Sequence, residues 1–168
     1  TANPTTAGKV CIVTNTPTNV IADVTGYFPG GSTFVASAPS RFMDTRPGQQ
    51  TDDGLAAGGG EIAANSVETL VVAGRPGVPT GAVAVAVNIT AVRSDAEAGT
   101  GFGGNGFVTA SPGPCGPGTP ATSNVNVQLG DNAVANGAIV AVPPSGEICV
   151  YASREMHTIV DVTGYFPG

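Results

Sequence analysis

The chain has 168 residues and a formal net charge of −6, yet only 11% of its residues are charged. Hydrophobic residues make up 41%, mostly Ala and Val with no Trp, while Gly and Pro number 25 and 14. This composition excludes a disordered chain, a nucleic-acid binder that neutralises phosphates and electrostatic attachment to an anionic membrane. No apolar run approaches the ~18 residues of a spanning helix, so membrane insertion is not expected either.

Residues 8–30 come first in the chain, and they have an echo. GKVCIVTNTPTNVIADVTGYFPG (Gly8 to Gly30) aligns without a gap on GEICVYASREMHTIVDVTGYFPG (Gly146 to Gly168), at an offset of 138 residues. Cys11 falls on Cys149, Asp23 on Asp161, and DVTGYFPG is repeated letter for letter. A fixed-period echo marks an internal repeat. The expectation is a tandem array in which residues 31–168 are one complete unit. Residues 1–30 are then the closing hairpin of the unit before it, a connector or donor segment docking on a neighbouring repeat or copy.

The following segments read as strands. FVASAPSRFMDTR holds one or two. DDGLAAGGGEIAA is the one helical candidate, and its glycines defeat it. ETLVVAG is a strand and GRPGVPTG a turn. AVAVAVNITAV sets Val83, Val85, Val87 and Ile89 on one face and Ala82, Ala84, Ala86 and Asn88 on the other, a strand expected to be buried on both sides. GFVTAS, SNVNVQL, GAIVAVP, EICVYAS and HTIVDVTGYF follow, separated by Gly/Pro turns. The last two are expected to form the closing hairpin, with SREMH near its turn. About eight or nine short antiparallel strands make an all-β domain. A jelly-roll-like β-sandwich is the first expectation and a closed barrel the second.

Three cysteines are an odd count. On the repeat reading Cys115 pairs with Cys149, while Cys11 is unpaired here or bonded between repeats. Three buried free thiols are the alternative. The pairing would tie the proline-rich loop to a strand in an oxidising compartment.

Candidate chemistry is sparse. Asp44, Arg46 and Asp161 would suit a carboxylate site for Ca²⁺ or a sugar. The plainer reading is a buried Asp–Arg arrangement, with Arg41 and Arg46 as partners of Asp161, which shares a strand face with Ile159 and Tyr165. Asn88, Asn124, Asn126 and Asn136 would line a sugar face or, more plainly, satisfy backbone. GFGGNG (Gly101 to Gly106) matches GxGxxG, but a strand follows where a dinucleotide site needs a helix. His157 is the single histidine, and no catalytic or metal-ligand cluster is evident. Neither a cofactor nor an enzymatic activity is expected.

The ordered motifs RFMDTR (Arg41 to Arg46), GVP (Gly77 to Pro79), NIT (Asn88 to Thr90), SNVN (Ser123 to Asn126), Asn136 and DVTGYF (Asp161 to Phe166) carry a resemblance. Together they resemble a repeat module of secreted and cell-surface actinobacterial proteins, across essentially all of residues 31–168. The resemblance implies an extracellular module, single or in tandem, at times beside hydrolase or protease domains. It implies no catalytic residue, and its variants with two cysteines match Cys115 and Cys149. Two functions follow as expectations. One is a structural or adhesive spacer or fibre-forming unit; the other is a carbohydrate- or cell-wall-binding module targeting an attached enzyme.

Overall fold

A computed structural model describes residues 11–17, 27, 31, 33–93, 105–128 and 131–168. Frequent Gly and Pro break this stretch into strands too short and too turn-bounded for helix. They are β1 (Val35–Asp44), β2 (Ser66–Val71), β3 (Ala82–Val92), β4 (Gly106–Pro112), β5 (Val125–Val127), β6 (Ala133–Ala141), β7 (Glu147–Ala152) and β8 (His157–Pro167).

Two four-stranded antiparallel sheets result, ordered β1-β8-β3-β6 and β2-β7-β4-β5. The pairs β1·β8, β2·β7, β3·β6 and β4·β5 each sum to nine. That is one long antiparallel ribbon, folded between β4 and β5 and rolled into two layers, the jelly-roll winding. Neither sheet closes on itself, so the barrel alternative falls.

This winding also corrects the closing hairpin. β7 lies in one sheet and β8 in the other, so residues 153–156 form an arch across the sandwich. The turn residues bond elsewhere: Ser153 N–H donates to Phe107 O at 3.0 Å, and Met156 and Ile62 exchange backbone bonds at 3.0 and 3.2 Å. Ile148, Val150 and Ala152 of β7 then belong to the same core as Val160 and Val162 of β8.

β3 alternates as expected over its C-terminal part, with Val85, Val87, Ile89 and Ala91 in the core. Its other face is only half-buried, so the expected double burial fails. A register shift between Ala82 and Ala84 removes Val83 from the inward series and leaves it 49% exposed. A second irregularity sits in β8. Val87 pairs with Val162 but Ala86 pairs with Gly164, so Thr163 is an extra residue. Beyond it the faces exchange. Tyr165 pairs with Val85 and packs on the core, on the opposite face from Asp161, contrary to simple alternation.

Most of residues 8–30, and therefore their expected docking, lie outside the described residues. Of that segment, Ile12, Val13 and Tyr27 are exposed, and Cys11 is an exposed free thiol.

The exchange of faces puts Gly164 on the outer side beneath Phe34. A Cβ there would meet Phe34 Cζ at 2.5 Å and Val35 O at 2.6 Å. Phe34 also stacks at a tilt on Phe166, with centroids 5.1 Å apart. Gly164→Ala must displace that ring or the start of β1. The expected cost is about 1–3 kcal/mol, read as a lower urea midpoint at unchanged m-value; an unchanged midpoint would contradict this packing.

Candidate functional site

The polar residues singled out in the sequence converge where the end of β1 meets the middle of β8. Arg41 and Asp161 are direct cross-strand partners. The guanidinium grips the carboxylate as a fork, with Nε donating to Oδ1 at 2.9 Å and Nη2 to Oδ2 at 3.3 Å. Its Nη1 donates to Asp44 Oδ2 at 3.0 Å. Arg46 closes on Asp44 from the other side, with Nε to Oδ1 at 2.9 Å, Nη2 to Oδ2 at 2.7 Å and its backbone N–H to Oδ1 at 3.2 Å.

A bulge makes this possible. Residues 41 and 44 should face opposite sides of a regular strand. The register shift between Arg41 and Met43 instead pairs Arg41 with Asp161 and Asp44 with Ile159, both on the outer side. Phe42 and Met43 both enter the core.

The result is a neutral chain of charges, Arg46–Asp44–Arg41–Asp161. The Asp44 side chain is 0% exposed, and the two arginine side chains are about one-third exposed, at 33% and 32%. Burial alone would push the Asp44 carboxyl up. The Arg46 hydrogen bonds, side chain then backbone, and the charges of Arg46 and Arg41 outweigh it and hold Asp44 below the usual carboxylate range. Arg41 is raised, first by its hydrogen bond to Asp161, and Arg46 by its bond to Asp44. All four carboxylate oxygens already accept hydrogen bonds from guanidinium groups. Among the described residues no group of three or more His, Cys, Asp or Glu is placed to hold a metal ion.

The four asparagines do not share a face. Asn88 lies on the half-buried outer side of β3, beside Asp161 and Gly137. The others cluster where β5 meets β4 and β6. Asn124 Oδ1 accepts the Ala110 N–H at 2.7 Å, and Asn136 Nδ2 donates to Asn124 O at 2.8 Å, fastening the two sheets at that side. Asn126 Oδ1 accepts from Ser123 Oγ at 3.0 Å.

Cys115 and Cys149 form a disulfide, with Cα atoms 5.3 Å apart. It secures the proline-rich loop over the outer face of β7, beside an open groove lined by Asn65, Val67, Thr69, Pro117 and Tyr151. Tyr151 is 3% exposed, and its hydroxyl is held by Asn65 Oδ1 at 3.0 Å. It offers no open ring for stacking a sugar. The GxGxxG match, whose described end is Gly106, leads into β4.

Two further groups were not anticipated. Arg75 is buried in the GRPGVP turn. It donates Nε and Nη2 to Asp53 at 2.8 and 2.6 Å and Nη1 to Phe42 O at 2.8 Å, with its guanidinium 4.2 Å above the Phe42 ring. Its hydrogen bonds hold the Asp53 carboxyl low. The signal was indirect: Lys and Arg together number six, and a cation inside an apolar turn needs a partner. His157, which opens β8, has Nδ1 3.1 Å from Thr45 Oγ1 and Nε2 3.9 Å from Glu61 Oε1. Thr45 Oγ1 also accepts the Thr158 N–H at 2.9 Å.

No family model matches the chain, and no curated protein is similar to it in sequence.

The depressed carboxyls of Asp44 and Asp53 fix a pH dependence. Their stabilisation is fully present above the unfolded value of 3.8 and is lost as pH falls through the lower folded values. Stability should be level near neutrality and decline once pH drops through about 4. Asp44→Asn should cost about 2–3 kcal/mol at pH 7, below the about 3–5 kcal/mol of a fully buried pair because both arginines reach solvent. It should also flatten the acid slope; an unchanged slope would contradict the assignment. Arg75→Met keeps bulk over Phe42 but orphans Phe42 O and Asp53. A loss of about 3 kcal/mol is expected in denaturant melts.

Proposed function

We propose that this chain is a non-catalytic structural module of an extracellular or cell-surface protein, a spacer or fibre-forming repeat. The observation that carries the reading is where its scarce polar chemistry goes. Asp44, Arg41, Arg46 and Asp161 neutralise one another, Arg75 is bound by Asp53 and backbone carbonyls, and Asn124 and Asn136 bond backbone. These groups hold strands together and have little left to offer a substrate. The disulfide supports an oxidising compartment. No helix among the described residues is long and apolar enough to cross a membrane.

Residues 8–30 take the connecting role in this reading. They match β7 and β8, and each of those strands has a neighbour on both sides in its own sheet. A segment of that sequence calls for strands from another unit to flank it. We infer that it joins one repeat, or one chain, to the next.

Binding to a glycan or cell-wall polymer is the second reading. The row Arg41, Asp161 and Asn88 across the outer side of β1, β8 and β3 favours it. The tyrosines weigh against it: Tyr151 is buried and Tyr165 packs on the core, which leaves Tyr27, at 84% exposure, as the open ring among them.

Protease resistance separates a durable spacer from an ordinary domain. The bonds after Arg41 and Arg154 should resist trypsin in the oxidised chain. Reducing the Cys115–Cys149 bond, which joins residues 34 apart in sequence, should remove about 3–4 kcal/mol in the chain-entropy model, making the bonds after Arg41 and Arg154 cleavable; Arg46 and Arg75 precede proline and stay uncut. Rapid digestion of the oxidised chain would count against the spacer. Retention on insoluble peptidoglycan that is lost in Asn88→Ala would favour the binding module.

A further inference from the structure

Sheet edges invite pairing, and stable domains blunt them with charge, proline, bulges or brevity. Three of the four edges here are blunted. β1 carries Pro39 and two register shifts. β2 carries the exposed Glu68, and Arg75 Nη1 occupies its Val71 carbonyl at 3.3 Å. β5 is three residues long. β6 has none of these devices. Its nine residues, AVANGAIVA, include no charge and no proline, and they pair with β3 without a register shift. Among the described residues no strand lies beyond it.

The ladder fixes which groups face outward. Val142 N–H donates to Val83 O at 2.8 Å and Arg93 N–H to Asn132 O at 3.0 Å. Even-numbered residues of β6 therefore bond β3. Ala133, Ala135, Gly137, Ile139 and Ala141 aim their N–H and C=O groups at the open edge. Of these, the Gly137 N–H is covered locally by Asn136 Oδ1 at 3.0 Å. Their side chains lie on the outer side, since Ala138 and Val140 turn to the core, and Ile139 is 60% exposed.

We propose that this edge pairs antiparallel with the same edge of a second copy, about a two-fold axis at Gly137. The inference rests on the structural-module reading and names its contact. Gly137 is the midpoint of Ala133–Ala141, so this register uses all nine residues of both strands. It forms about ten backbone hydrogen bonds. Ala133 meets Ala141, Ala135 meets Ile139, and Gly137 meets its counterpart. Each exposed isoleucine covers an alanine of the other copy, so the strip complements itself as a two-fold contact must. In a molecule of net charge −6, it brings two copies together along a strand that carries no charge. The two outer sheets would join into one of eight strands, four from each copy.

Gly137 provides the test, because a Cβ there meets nothing nearer than Val87 O at 3.8 Å. Gly137→Lys and Gly137→Glu should each fold, and each sets like charges opposite one another across the axis. In sedimentation equilibrium the full chain should show a monomer–dimer equilibrium. Each variant alone should weaken dimerisation about 100-fold, and an equimolar mixture of the two should regain a 1:1 dimer. Thr69→Lys, on the β2 edge, should associate as the unmodified chain does. A chain that stays monomeric up to about 1 mM or a mixture that fails to pair would each overturn the proposal. Association that persists in both Gly137 variants would also overturn it, placing the contact elsewhere while leaving the module reading intact. Trypsin resistance judges that reading separately.

Discussion

The bulge between Arg41 and Met43 is the constraint on which much of this molecule depends. It turns two successive side chains, Phe42 and Met43, into the core and brings Arg41 and Asp44 to the same outer side. Without it Asp44 would point inward, where an unpaired carboxylate is costly to bury. With it, two arginines reach Asp44 and one of them also reaches Asp161 on β8. Phe42 then becomes a meeting point. Arg75, from the turn after β2, covers its ring and caps its carbonyl while gripping Asp53 of the loop that follows β1. One irregular step in β1 thus ties together β8, a long loop and the turn leading from one sheet to the other.

Much of this was legible in the sequence, and the failures share a cause. Alternating runs located all eight strands, and of the two arginines expected on Asp161, Arg41 bonds it while Arg46 bonds Asp44 instead. The cysteine pairing followed from the repeat and the resemblance, and the disulfide is present. What alternation cannot show is an interruption of itself. Val83 and Tyr165 were assigned to the wrong sides because a shift near Ala82 and an extra residue at Thr163 break the period of two. EICVYAS and HTIVDVTGYF looked like a hairpin because they adjoin in sequence and share a short turn. Adjacency in sequence does not say whether the next strand pairs beside its predecessor or crosses to face it. Arg75 was missed because its partners lie 22 and 33 residues away, a distance no local pattern spans.

The repeated stretch DVTGYFPG looks different once its residues have addresses. Its second copy supplies a carboxylate for Arg41, a flat step for the Phe34 ring, and the Phe166 ring that stacks on Phe34. Each of these demands comes from β1 or from Phe34, the residue just before it. The motif is therefore the complement of β1, and its repetition follows if every unit must seal its first strand against its last.

That seal also sets how units would be strung. Val35 pairs with Tyr165, so the chain enters the fold beside the point where it leaves. In an array, entry and exit at one corner would hang successive units from a common line. They would not thread end to end through the long axis of each sandwich. The opposite side of the same sheet, beyond β8 and β3, is the β6 edge. It lies two strands from β8. Connection along the array and pairing between arrays would then use opposite edges of one sheet, and each could proceed without disturbing the other.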